Sequence, residues 1–177
     1  MSTWHKYIDD IGNGLRELAV TDRAGASMPP VDGYDRWVAM TDAAKQRDSQ
    51  IFIIGNGGSA SMASHMAIDA CKNGHLRALA LNDVAMITAA GNDLSYDQIF
   101  RLPLERLGRK GDMLITISSS GNSPNVIQAV EAARVIGMDV VTLSAKQADN
   151  QSLAQRDGDD AVDQRRGGPR LRRRLAH

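Results

Sequence analysis

Two short segments rich in glycine and serine carry the groups that could bind a phosphate. The first is the run GNGGS at 55–59, whose glycines allow a tight turn and let a ligand approach the backbone closely. It opens a predicted helix whose free N–H groups favour an anion. The second is the run SSSGNSP at 118–124, with Ser123 as a helix N-cap and Pro124 in the first helical position. Neither segment is a Walker A motif, because no Gly-Lys-Ser/Thr follows.

The first segment, taken alone, fits two kinds of ligand. GNGGSA matches the G-x-G-x-x-A pattern of dinucleotide sites, and Asp83 stands where a ribose-binding acid could lie. A dinucleotide site does not require a hydroxyl-rich loop at the next crossover, so the second segment favours a phosphorylated small molecule. The simpler alternative is that the first segment is an ordinary turn and the second is a flexible loop.

A histidine and a carboxylate lie between the two segments. His65 and Asp69 are four residues apart and share one face of the helix that follows the first segment. Such a pair could ligate a metal or act as acid and base. Without other context, a packing pair between helix neighbours is the better interpretation. On the same helix, Met62, Met66 and Ile68 are predicted to be core residues.

The elements that must position these residues alternate between strands and helices from residue 51 onward. Such alternation indicates parallel pairing with helices covering the sheet, and hence an α/β fold: a three-layer αβα sandwich with a mostly parallel sheet. Open sheets of this kind bind ligands at the carboxyl ends of their strands, where both segments lie. Short apolar runs predict the strands at 51–54, 78–81, 113–117 and 139–144.

The two ends of the chain differ from this alternating region. Residues 1–50 form a predicted N-terminal helical arm, in which apolar residues recur at helical spacing over 4–19. Residues 51–146 form the predicted ligand-binding domain. Residues 147–177 contain few large apolar side chains and are predicted to be poorly ordered. The composition changes abruptly there, to a run rich in Arg, Asp and Gly. We therefore hypothesise that the chain from about residue 145 derives from a shifted reading frame.

Composition excludes several classes of protein. The 177 residues suffice for one ordinary domain. Twenty-one Lys and Arg balance 21 Asp and Glu, so a general nucleic-acid coating protein is excluded and no nucleic-acid partner is expected. The single Cys71 excludes an internal disulfide and a cysteine-based zinc site. With no signal-peptide core and no long apolar stretch, we expect a cytoplasmic protein without a membrane partner.

Four segments together resemble the sugar isomerase (SIS) domain family, and within it the phosphoheptose isomerases. They are IGNGGSA, the Ser-His pair after it, GNDLSYDQIF, and ISSSGNSPN followed by a helix. The likeness spans roughly residues 35–146 and implies an SIS-type, flavodoxin-like sandwich. It implies conversion of sedoheptulose 7-phosphate to D-glycero-D-manno-heptose 7-phosphate by enediol-type proton transfer, without a nucleotide cofactor. The alternative within the family is a non-catalytic phosphosugar-binding or regulatory protein, such as a partner of the bacterial replication initiator.

The resemblance also implies roles for individual residues. Asp69 corresponds to the carboxylate that transfers protons and binds metal, where the family usually has a longer glutamate. His65 corresponds to a zinc ligand and is the second catalytic residue of this pair. The implied substrate-binding residues are Asn56, Gly57, Gly58, Ser59, Asp69, Asn92, Asp93, Ser118, Ser119, Ser120 and Ser123.

Other features concern assembly and departures from the family. The resemblance implies a homotetramer in which helices of neighbouring subunits complete each site. The family continues with a last strand and an apolar helix that bears a glutamine and a histidine, whereas nothing after Ser144 resembles them. His177 is given no role, and weak or absent activity is expected without those groups. Pro103 lies inside a helix predicted over 96–107 and should kink or shift it.

Overall fold

The computed structural model describes residues 2–145 and the backbone of Asp163–Arg166. Among the residues described, no helix is long and apolar enough to cross a membrane. A short 3-10 turn, Tyr96–Gln98, precedes the fifth helix. The helices are α1 (Thr3–Arg16), α2 (Pro30–Gln46), α3 (Gly58–Lys72), α4 (Val84–Asp93), α5 (Arg101–Leu107) and α6 (Pro124–Ile136). The strands are β1 (Leu18–Thr21), β2 (Ser27–Met28), β3 (Gln50–Gly55), β4 (Arg77–Ala80), β5 (Met113–Ile117), β6 (Asp139–Leu143) and β7 (Asp163–Arg166).

Four parallel strands form the centre of the sheet in the order β4-β3-β5-β6. Gly55, the last residue of β3, is paired with Ile117, the last residue of β5. The two loops that follow these strands therefore leave the sheet side by side. The full described order is β2-β1-β7-β6-β5-β3-β4, with β1 antiparallel to both of its neighbours. The predicted α/β class with a mostly parallel sheet is confirmed.

Strand β3 is apolar along most of its length because both faces of the sheet are covered. Ile51 and Ile53 point into a core formed with α2 and α3. Phe52 and Ile54 point into a second core formed with α4, α5 and α6. All four side chains are at most 2% exposed, and burying each contributes about 1.5–3 kcal/mol. These two cores make the three layers of the predicted sandwich.

The N-terminal arm contains a hairpin that the sequence pattern does not predict. Helix α1 ends at Arg16 rather than extending over 4–19, because the next residues pair as β1 with β2. The side chain of Asp22 accepts a hydrogen bond from the backbone N–H of Ala26 at 2.8 Å and closes the turn. Within α1 only Gly14 is buried, so this helix presents its side chains outward.

Pro103 shifts its helix, as predicted. Helix α5 begins only at Arg101, which places Pro103 in the first turn, where the missing N–H would have no helical partner. The residues before it, Tyr96–Gln98, form the 3-10 turn instead of continuing the helix. Helix α6 ends at Ile136, and its C-cap Gly137 has a left-handed φ of 87°.

Most of the C-terminal tail lies outside the described residues. The predicted disorder of 147–177 and the shifted-frame hypothesis therefore lie outside them too. Within the tail, the backbone of β7 pairs in parallel with β6 through Thr142–Asp163 and Leu143–Gln164. No strand is predicted there from the sequence, because the Arg- and Asp-rich composition shows no alternation of apolar residues.

Candidate functional site

A glycine-rich turn joins β3 to α3. Gly57 is the N-cap of α3 and has a φ of 55°, which glycine adopts at little cost. A Cβ at Gly57 or Gly58 would meet no heavy atom within 4 Å, so open space lies beside the turn. At Gly55 a Cβ would lie 2.7 Å from Cβ of Ser59 and 2.8 Å from the carbonyl oxygen of Ile117. Gly55 therefore allows close packing, whereas the other two glycines leave room for a ligand.

A hydroxyl-rich loop joins β5 to α6. Ser118 is buried and turns inward: its Oγ accepts a hydrogen bond from Gly121 N at 3.2 Å and lies 3.4 Å from Oγ of Ser123. Ser119 is exposed, and Ser120 is half-buried. Ser123 is the N-cap residue of α6, as predicted, but its hydroxyl makes no capping hydrogen bond. Its Oγ is therefore not engaged in capping the helix.

A reciprocal pair of amides connects the turn to the serine loop. Nδ2 of Asn56 donates to Oδ1 of Asn125 at 2.9 Å, and Nδ2 of Asn125 donates to Oδ1 of Asn56 at 2.8 Å. We call this pair the amide clasp. Asn125 is only 1% exposed, and its Oδ1 also accepts a hydrogen bond from Val126 N at 3.0 Å. The sequence identifies Asn56 but not Asn125, which is one of several polar side chains on α6 and carries no distinguishing signal.

The Asn-Asp pair lies at the end of α4. Asn92 and Asp93 are both exposed, and Nδ2 of Asn92 donates to Oδ1 of Asp93 at 2.8 Å. A few residues later the hydroxyl of Tyr96 lies 3.5 Å from Oδ1 of Asn56. Sequence reasoning did not identify Tyr96. Its hydroxyl contact with Asn56 links this segment to the turn.

Polar contacts fix the segment that carries this tyrosine. The hydroxyl of Ser95 donates to Asp97, and this hydrogen bond holds the pKa of Asp97 below its usual value. Arg101 donates to Glu105 at 2.7 Å and to Gln128 on α6 at 2.6 Å. Its contact with Glu105 raises the pKa of Arg101, so this guanidinium stays charged. The segment is thereby attached to the same helix that carries the clasp.

His65 and Asp69 form an exposed pair on α3. Nε2 of His65 lies 3.2 Å from Oδ2 of Asp69, and the two side chains are 79% and 53% exposed. At the helical rise they lie about 10 and 16 Å along the axis from Gly58. Among residues 2–145, no hydrogen bond or ion pair joins them to the turn or to the serine loop. The structure thus brings the two loops together but leaves this pair on an open surface.

The apolar side chains beside this pair correct part of the sequence prediction. Met66 packs partly buried against the core, as expected. Met62 and Ile68 are 59% and 57% exposed, so predicting them as core residues was wrong. They lie on the outer side of α3, over which no other described element packs.

The pair does not fit a zinc site by itself. Zinc sites in proteins use three or four protein ligands, and His65 with Asp69 supplies two. Among the residues the structure describes, no group of three or more His, Cys, Asp or Glu side chains could hold a metal ion.

A cavity of about 250 Å³ lies near the amino ends of the parallel strands, at the opposite end of the sheet from the two loops. Gln50 and Arg77 are the first residues of β3 and β4, and Asp112 directly precedes β5. The cavity therefore lies away from the turn and the serine loop and is not part of the candidate site. Its lining residues are Gln50, Phe52, Arg77, Leu79, Leu107, Arg109 and Asp112.

Comparison with known proteins identifies relatives of this chain. The SIS domain family matches residues 35–145. A phosphoheptose isomerase from Enterobacter sp. strain 638 is 43% identical over 153 residues, covering 79% of this chain and 76% of the relative. One from Desulfovibrio desulfuricans is 48% identical over 102 residues, covering 54% of this chain and 49% of the relative. The chain thus spans only about half the length of the latter.

Solved structures agree with the sequence matches. The phosphoheptose isomerase of Neisseria gonorrhoeae superposes with a TM-score of 0.76 at 32% identity, over 95% of this chain and 84% of that one. That of Francisella tularensis gives 0.75 at 27% identity, over 96% and 88% of the two chains. The chain belongs to the SIS domain family, and within that family it is a phosphoheptose isomerase-like protein.

Proposed function

We propose that the chain is an aldose–ketose isomerase that converts sedoheptulose 7-phosphate to D-glycero-D-manno-heptose 7-phosphate. One observation carries the proposal: the amide clasp holds an open glycine turn beside a hydroxyl-rich loop at the edge where β3 and β5 end. Relatives named phosphoheptose isomerase support the choice of sugar.

The serine loop would bind the phosphate. Ser119, Ser120 and Ser123 offer hydroxyls, and the N-terminus of α6 favours negative charge. Ser118 would support the loop, because its Oγ already accepts a hydrogen bond from the backbone N–H of Gly121. Each hydrogen bond to a charged phosphate contributes about 1.5–3 kcal/mol.

The turn would receive the sugar chain. Gly57 and Gly58 leave open space for it, Asn56 keeps one side-chain N–H outside the clasp, and Ser59 begins the helix beside them. The exposed Asn92 and Asp93 would contact sugar hydroxyls, as the resemblance implies. Fixing the phosphate end in this way limits where the reacting carbons can lie.

Proton transfer would fall to Asp69. In the open-chain ketose its carboxylate removes a proton from C1, and the electron pair moves into the C2 carbonyl to form an enediolate. Returning the proton at C2, while the C1 hydroxyl proton moves to the C2 oxygen, gives the aldehyde and a C2 hydroxyl. A positioned acid–base group contributes about 10²–10⁴-fold to the rate. His65, 3.2 Å away, would hold the carboxylate in place. The reaction is redox-neutral and requires no nucleotide cofactor.

We propose that the active form is a homo-oligomer, with the homotetramer as the assembly that the resemblance implies. An apolar face of α1 is uncovered, which is typical of an interaction surface. A neighbouring helix packed over α3 would also cover Met62, Ile68 and the His65–Asp69 pair. The exposed apolar residues of α1 are Trp4, Tyr7, Ile8, Ile11 and Leu15.

Two further predictions belong with this proposal. Zinc remains a prediction from the resemblance, because the described donors do not complete a ligand set. A cytoplasmic location is proposed because the substrate is a phosphorylated metabolite and the single Cys71 forms no disulfide within the chain.

The test is to incubate the full chain with sedoheptulose 7-phosphate and follow product formation by proton NMR, with fructose 6-phosphate as the comparison substrate. We expect a new anomeric signal from the heptose and little conversion of the shorter sugar. Binding without conversion would favour the non-catalytic phosphosugar-binding alternative. Failure to bind either sugar would contradict the site.

A further inference from the structure

Asn125 is a buried polar residue that the proposed chemistry does not use. Its side chain is 1% exposed, so it cannot contact a ligand directly. Its amide nevertheless makes three hydrogen bonds: Nδ2 donates to Asn56, and Oδ1 accepts from both Asn56 and Val126 N. A buried amide left without hydrogen-bond partners destabilises the fold. Both halves of the pair therefore hold each other in one orientation.

The position of the clasp gives it a specific consequence. The backbones of the turn and the serine loop separate after the Gly55–Ile117 pair, where the sheet ladder ends. Beyond that point, the described side-chain hydrogen bonds that join Asn56 to α6 are the two bonds of the clasp. This contact therefore links the sugar turn to the first turn of the helix that follows the phosphate loop.

We propose that Asn125 is a positioning residue, which fixes the sugar-lining turn relative to the phosphate-binding loop by acting through Asn56. The inference rests on the proposed function for the identity of the ligand. Inorganic phosphate requires only the serine loop, whereas a sugar phosphate requires both segments in register. Loss of the clasp should therefore weaken the second ligand selectively, and a misplacement of about 1 Å can cost about 10²-fold in rate.

The test compares Asn125→Ala, Asn56→Ala and the double variant with wild-type protein. Dissociation constants for inorganic phosphate and for sedoheptulose 7-phosphate are measured by calorimetry, and kcat and KM by NMR. Asn125→Ser is made in parallel as a second, smaller polar replacement in case the alanine variant does not fold. The matched control is Asn82→Ala, since Nδ2 of Asn82 donates to Ala60 O and Ser64 Oγ at the same edge of the sheet without joining the two loops.

We expect Asn125→Ala to keep its phosphate affinity within about threefold while kcat/KM for the heptose phosphate falls at least about tenfold. Asn125→Ala should add little to Asn56→Ala, because the two residues act as one unit. The effects of Asn82→Ala and Asn56→Ala should instead multiply. In the NMR spectrum of the ligand-free chain, the side-chain amide signals of Asn56 should shift in Asn125→Ala and stay in Asn82→Ala.

Two results would overturn the inference: a parallel loss of affinity for both ligands, or multiplicative effects of the Asn56 and Asn125 variants. Failure of the proposed function gives a different pattern. If wild-type protein binds the sugar phosphate without turnover, the proposed isomerase is refuted, and the ratio of the two dissociation constants still decides the role of Asn125. If wild-type protein binds the sugar phosphate no more tightly than phosphate, both proposals fail.

Discussion

The two loops and the His65–Asp69 pair differ in how the chain holds them. The turn and the serine loop follow paired strands and are joined by a pair of amides, of which Asn125 is 1% exposed and Asn56 is half-buried. His65 and Asp69 contact each other on the outer face of α3, where both side chains are more than half exposed. Contacts within the chain hold the two loops in place, whereas the His65–Asp69 pair is exposed.

This difference indicates that phosphate binding and proton transfer depend on different parts of the structure. A phosphate site of hydroxyls and a helix N-terminus can be complete within one chain, whereas a proton-transferring carboxylate works best where water is excluded. The exposed Met62 and Ile68 beside the pair indicate where a covering surface would pack. Binding should therefore survive changes that abolish catalysis.

The largest effect is expected from Asp69→Asn. The amide cannot accept the substrate proton, so isomerisation should fall by about 10²–10⁴-fold. Affinity for inorganic phosphate, measured by calorimetry, should be nearly unchanged because Asp69 has no recorded contact with the serine loop. Loss of both properties together would instead indicate a structural role for Asp69.

The next largest effect is expected from a charge placed in the apolar face of α1. Ile8→Glu or Leu15→Glu should dissociate the oligomer, since a buried unpaired carboxylate is costly, and should lower activity while phosphate still binds. Light scattering coupled to size-exclusion chromatography measures the assembly. Lys6→Glu, on the polar side of the same helix, is the control; a wild-type chain that is already monomeric would refute the proposed assembly.

Removing single hydroxyls from the serine loop should weaken phosphate binding. Ser120→Ala and Ser123→Ala should each cost about 1.5–3 kcal/mol in binding of the sugar phosphate. Calorimetry against Ser27→Ala, an exposed serine of β2, provides the comparison. Unchanged affinity in both loop variants would mean that the phosphate binds elsewhere.

The smallest effect is expected within the glycine turn. Gly57→Ala should destabilise the fold by about 1–3 kcal/mol, because alanine is strained at a φ of 55°. Gly58→Ala is the control, since its Cβ would meet nothing within 4 Å and its φ is not positive. Thermal unfolding measures both, and equal stability of the two variants would contradict the strain at Gly57.

The sequence allowed the central strands and the positions of the two loops after β3 and β5 to be predicted, because short apolar runs that end at glycine- or serine-rich segments are typical of buried strands. The β1–β2 hairpin was missed because it has only two ladder pairs inside a run of turn-forming residues. Asn125 was missed because its role depends on a partner 69 residues away. Met62 and Ile68 were wrongly placed in the core, because periodicity marks an apolar face without showing what covers it.

Deuterium incorporation tests the separation of phosphate binding and proton transfer most directly. Sedoheptulose 7-phosphate is incubated in D₂O with wild-type protein and with Asp69→Asn, and the C1 proton signals are followed by NMR while binding is measured in parallel. We predict that wild-type protein exchanges a C1 proton and forms the heptose, whereas Asp69→Asn binds the sugar phosphate and exchanges none. Wild-type protein that binds the sugar phosphate but leaves its C1 protons intact would contradict the proposal.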